Sequence, residues 1–182
     1  MAYVLLGCQV LVAVVFAAAV AGKRSGEAFA EFTASTGRLL PPRLAGWRQP
    51  AARAVFAAEL AVPVLVAVPA TAVAGFTLSL VLLTAFTAGI AGALRRGERA
   101  PCRCFGSSAT RLGPADLVRD LFLIVVALTG VMAALLVPAG RAWPASPATA
   151  ALTAVAALAG AALVIRLDDL IALFAPTSMS SK

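Results

Sequence analysis

The sequence has no histidine, three cysteines, one tyrosine and eight acidic residues among its 182 positions. Without histidine, the most common general base and metal ligand is gone. Three cysteines cannot complete a four-ligand structural zinc site within one chain, so no metal is expected. Charge is scarce as well. Asp, Glu, Lys and Arg make up 13% of the chain, against roughly 25% in soluble domains. Apolar residues fill the gap, at 62% with a mean hydropathy of +0.97. Soluble domains carry roughly 45–50%, so a soluble globule is excluded. The chain reads as a membrane protein.

The net charge of +7 and pI near 10.7 do not point to nucleic acid. The basic residues fall between apolar runs, where membrane topology accounts for them, and no nucleic-acid partner is expected. The lipid bilayer is the partner that composition implies.

The apolar runs set the fold class: an all-α, polytopic membrane helix bundle of about five transmembrane helices, in a single membrane domain over 1–182. Spans are expected at 2–22, 54–72, 74–94, 115–137 and 148–167. The first has no basic residue before it and Lys23 and Arg24 after it, the reverse of a signal peptide, so it is expected to stay in the membrane. Residues 23–53 form the longest polar stretch, read as a short amphipathic helix near 25–36, a break at Pro41 and Pro42, and an interfacial turn anchored by Trp47. Residues 54–94 hold one charge, Glu59. As one helix they would run ~60 Å, about twice the hydrocarbon core, so two spans joined by a turn near Thr71 to Gly75 are expected, with Pro63 and Pro69 bending the first. Pro114 is placed to open the fourth span, with Asp116 in its first turn where the helix dipole favours an anion.

With five spans, every Lys and Arg except Arg141 falls on one side. The positive-inside rule then puts the N-terminus outside, and the C-terminus and the loop 95–113 in the cytoplasm. The expected location is a bacterial inner (plasma) membrane.

That loop carries the one cluster that looks like chemistry, Pro101-Cys102-Arg103-Cys104-Phe105-Gly106. Cysteines two residues apart lie near the Cα separation a disulfide tolerates. The ring would be small and strained, and strained disulfides are the easily reduced ones. Pro101 and Gly106 punctuate the turn, while Arg103 and its basic neighbours favour the thiolate. A merely structural pair fits the same spacing. Cys8 lies in the first span, and only an oligomer pooling two loops would gather four sulfurs.

Glu59 is the second candidate. An ionisable residue inside a span faces a partner or a cavity and is a functional candidate by default. Lys23 or an arginine of the loop would be its partner. An interfacial carboxylate is the plainer reading. Beside the thiols it would handle the proton that exchange moves.

Together these residues resemble the methylamine utilisation protein MauE family, related to DoxX/DoxD-like membrane proteins. The likeness rests on Ala21-Gly22-Lys23 closing the first span, Phe29 and Phe32 after it, Glu59, and above all Cys102-Arg103-Cys104-Phe105-Gly106. It covers about residues 1–137. The resemblance implies a four-helix DoxX-like core plus a C-terminal helix. It also implies a part in making a disulfide-rich amine dehydrogenase subunit, through thiol–disulfide chemistry with a thioredoxin-like protein.

By that reading Cys102 and Cys104 are the redox pair, Arg103 stabilises thiolate, Glu59 handles a proton, and Pro101, Phe105 and Gly106 shape the site. No cofactor is evident, and quinone use is left open. One cysteine pair is half of what a complete relay to a quinone uses, so a partner is expected to supply the rest. Two rival readings stand beside this one: a non-catalytic assembly or export helper that needs the basic loop but not the cysteines, and a small transporter. The transporter ranks last, because only one deeply placed charge is evident.

Overall fold

The computed structural model describes residues 1–39, 46–95, 114–137 and 146–167. Six α-helices lie among them: α1 (Ala2–Ala21), α2 (Gly26–Leu39), α3 (Arg48–Ala67), α4 (Ala72–Arg95), α5 (Pro114–Leu136) and α6 (Pro147–Ile165). Five of them, all but α2, are long and apolar enough to cross a membrane. In hydrocarbon the backbone finds no water, and a helix satisfies its own N–H and C=O groups. That is why each apolar run here becomes a helix. Large residues such as Val64, Leu121, Met132 and Leu152 are exposed on the outer faces, where lipid replaces water as the surrounding solvent.

Facing residues fix the arrangement. Gln9 of α1 donates from Nε2 to the Val66 carbonyl near the end of α3 at 2.7 Å, so those helices run antiparallel. Phe76 near the start of α4 lies against Gly130 late in α5, and Thr87 late in α4 meets Asp120 early in α5. These two are also antiparallel. By contrast α6 runs parallel to α1, with Thr153 near Gly7 and Leu11 near Gly160. Helices α1, α3, α4 and α5 close a four-helix ring, and α6 packs on the outside of α1. Lipid gives helices no hydrophobic reason to associate, so close packing must hold them. The core provides it through Leu5, Val12, Phe16, Val62, Phe76, Leu83 and Leu123, all essentially buried.

The turn between α3 and α4 is earlier than the sequence suggests. The helix stops at Ala67, Val68 is extended, and Pro69–Thr71 form one 3-10 turn. A residue before proline is pushed out of the helical region, so Pro69 ends α3 rather than bending it. Pro63 alone lies inside the helix. The freed carbonyls at this end are taken by side chains: Thr71 Oγ1 donates to the Leu65 carbonyl at 2.8 Å, and Gln9 serves Val66.

Gly75 is not a turn residue but a packing one. A Cβ there would come within 2.7 Å of the Val66 backbone nitrogen. Helix α3 also starts earlier than expected, at Arg48, directly after the exposed Trp47. The amphipathic helix near 25–36 appears as α2, opened by Ser25, whose Oγ accepts from the Ala28 N–H at 3.2 Å.

Candidate functional site

Alternation of the spans brings the C-terminal ends of α1 and α4 and the N-terminal ends of α3 and α5 to one end of the bundle, and the charged core residues collect there. Lys23 follows the last turn of α1, held by backbone bonds from its own N–H to Val20 and from Gly22 to Ala18. Its side chain reaches back into the bundle. Nζ donates to both oxygens of Glu59, each at 2.6 Å. Lys23 is 3% exposed and Glu59 0%. Because α3 begins at Arg48, Glu59 lies near the middle of its helix rather than at its edge.

An ion pair this deep is affordable only with good geometry and both partners present. Here α2 completes it. This helix folds back so that Phe32, itself buried, presents its ring 4.4 Å from Lys23 Nζ. Phe29 packs edge-on against Phe56 of α3 at 5.7 Å between centroids, fixing α2 over the pair. A cation on an aromatic face gains from the ring quadrupole, most where water is excluded.

A second polar cluster belongs to α4 and α5. Arg119 Nη2 donates to Asp116 Oδ1 at 2.9 Å, one turn earlier on α5. Asp120 is buried in the interface with α4, where Thr87 Oγ1 donates to its Oδ2 at 3.4 Å. Glu59 is therefore not the single deep charge. Residues Arg119 and Asp120 are buried as well, and the sequence reading missed them because they looked like the charged edge of a span. The signal was there: Asp120 is followed at once by the apolar run Leu121 to Val126.

The loop residues Pro101, Cys102, Arg103, Cys104, Phe105 and Gly106 lie outside the described residues. Their anchors do not: Arg95 ends α4 and Pro114 opens α5, both at the charged end of the bundle. The remaining thiol, Cys8, is free and buried on α1 next to Gln9. That puts it toward the opposite end of the bundle.

A family model described as "Methylamine utilisation protein MauE" matches residues 1–133. The chain belongs to the MauE family. The match runs through α1 to nearly the end of α5, which is the four-helix ring with α2. Both members of the Lys23–Glu59 pair, Phe32, Asp120 and the Cys-Arg-Cys segment fall inside it. Helix α6 falls outside. As a MauE-family protein the chain is a multi-pass membrane protein linked to methylamine utilisation. No curated protein and no solved structure matches it.

Proposed function

We propose that this MauE-family protein carries out thiol–disulfide exchange in the maturation of a disulfide-containing client, such as an amine dehydrogenase subunit. Its working parts would be Cys102 and Cys104, with a thioredoxin-like protein as exchange partner. What supports the reading is the buried Lys23–Glu59 pair, built at the same end of the bundle as the anchors of the Cys segment. A family fold that needed only a scaffold in lipid would have little reason to bury a lysine and a glutamate, which are costly there.

The exchange balances as follows. A client thiolate attacks one sulfur of the Cys102–Cys104 disulfide, forming a mixed disulfide and releasing the other cysteine as thiolate. The second client thiolate displaces the first loop sulfur, so the client gains a disulfide and the loop becomes a dithiol. Two electrons have moved from client to loop, and the leaving thiolates take up the protons that the client thiols gave. A thioredoxin-like disulfide then accepts the electrons by the same two steps. Arg103 lowers the thiol pKa and holds the thiolate form. Lys23 and Glu59 share hydrogen bonds, so a proton passing between Nζ and the carboxyl leaves the pair without net charge. A proton accepted from outside the pair must therefore be matched by one released, so in this reading Lys23 and Glu59 relay protons rather than store them. The charge rule sets this chemistry at the cytoplasmic face, with the N-terminus outside.

Trapping tests the reading. Purified full-length protein with one loop cysteine replaced, Cys102→Ser or Cys104→Ser, is mixed with a thioredoxin that lacks its resolving cysteine and carries its remaining thiol as a mixed disulfide with thionitrobenzoate, which leaves when a loop thiolate attacks. One single variant is expected to form a covalent complex that reductant dissolves, and the double variant none. Failure of both single variants to trap, with function retained in the double variant, would replace this reading with the non-catalytic assembly helper.

A further inference from the structure

Threonines inside these helices follow one habit. Thr77, Thr84, Thr129 and Thr153 each donate their hydroxyl to the carbonyl four residues back. Thr87 is different, because its bond crosses to Asp120 of α5. Asp120 is 0% exposed. Its Oδ2 receives that single long bond at 3.4 Å, and its Oδ1 has no hydrogen-bond partner among the described residues.

Every charged neighbour with a described partner makes its described hydrogen bonds elsewhere, although Arg119 stays close enough for its charge to act on Asp120. On its own helix Arg119 turns to Asp116. From the α1 side Lys23 gives itself to Glu59 of α3, and α4 offers Thr87 within the interface and an exposed Arg95 at its end. On α2, Glu27 and Glu31 are both exposed. Nor does the helix dipole help, since its effect fades beyond the first turn, and Asp120 lies in the second. A carboxylate with one oxygen bare in such a place is costly, and a carboxyl there keeps its proton instead.

We propose that Asp120 is a proton-binding site of the bundle, holding its proton at rest with Thr87 as hydrogen-bond partner. It complements the Lys23–Glu59 pair, whose charges are matched and whose carboxylate oxygens are both occupied. Asp120 lies six residues inside Pro114, about 9 Å along the helix, on the two helices that carry the Cys segment. Its use in proton exchange with the thiols rests on the thiol–disulfide reading. Its protonation does not.

Infrared spectroscopy of the full chain in lipid nanodiscs at neutral pH tests the inference. A protonated-carboxyl C=O stretch is expected in the wild type, kept in Glu59→Gln and lost in Asp120→Asn. Thr87→Val should move it to higher frequency as the hydrogen bond disappears. Aspartate labelled with 13C at the side-chain carboxyl should shift the band in unmutated protein, which assigns it to an aspartate rather than a glutamate even if a variant misfolds, and Asp116→Asn should leave it in place. Absence of the band, or its loss in Glu59→Gln with no response to labelled aspartate, would overturn the proposal. A missing band with intact thioredoxin trapping would refute this site alone. A band that behaves as expected without trapping would support it and refute only the thiol reading.

Discussion

At the scale of single residues, the account depends on Lys23 and Glu59 being a matched pair. Removing one partner of a buried ion pair costs about 3–5 kcal/mol, whereas replacing both with apolar residues is often neutral. Lys23→Met should therefore lower thermal stability sharply in detergent or nanodiscs, and Lys23→Met with Glu59→Leu should recover most of it. If the pair also handles protons, that recovered double variant should remain slow in disulfide exchange. Stability and exchange rate, measured on the same samples, separate the two roles. Phe32→Leu keeps the apolar contact and removes the ring face. A loss of about 1–2 kcal/mol is expected for a desolvated cation–π contact.

Much of this site was legible in the chain. A glutamate alone in a long apolar run and a lysine closing the first span point to each other by topology. Phe32 as the cover was not legible, because nothing in an amphipathic segment says whether it lies on the membrane or folds back over a buried charge. Asp120 was hidden by its neighbours. With Asp116 and Arg119 close by, it looked like the polar rim of a helix rather than a group buried against α4.

At the scale of helices, the bundle is set by where small residues admit large ones. Gly130 receives the Phe76 ring, and a Cβ there would overlap the ring carbons. Because Phe76 is fully buried, its ring has little room to retreat. Gly130→Ala should destabilise the protein by about 1–3 kcal/mol, the usual cost of overpacking, and Gly130→Ala with Phe76→Leu should restore it. A melting curve for each variant checks this. Gly75→Ala should be worse, since its Cβ meets backbone rather than a side chain. Sequence gave away the number and order of spans, because length and hydropathy decide both. The turn between α3 and α4 was less clear. Pro69 and Gly75 both looked like punctuation, and only packing shows that the proline ends a helix while the glycine lets two helices touch.

At the scale of the molecule, the ring of α1, α3, α4 and α5 forms one unit and α6 an attachment to α1. The family match, which ends at residue 133, follows the same division. A chain ended after residue 137 should still insert, and its Lys23→Met variant should show the same loss of stability as in the full chain. Failure of the shortened chain to accumulate in membranes would mean that α6 is needed to hold α1 in place. The arrangement also gives the bundle two unlike ends. The buried Lys23–Glu59 pair, Arg119 and Asp120 gather at one, with the anchors of the Cys segment, while Cys8 lies toward the other.

The most direct test of the central claim, that Cys102 and Cys104 form a working redox pair at the charged end, is thiol labelling in intact cells. Membrane-permeant and impermeant maleimides would be applied with and without prior reduction, in a Cys8→Ala background that leaves the loop cysteines as the only thiols. The account predicts labelling by the permeant reagent alone, increasing after reduction. Ready labelling that reduction does not change would contradict it.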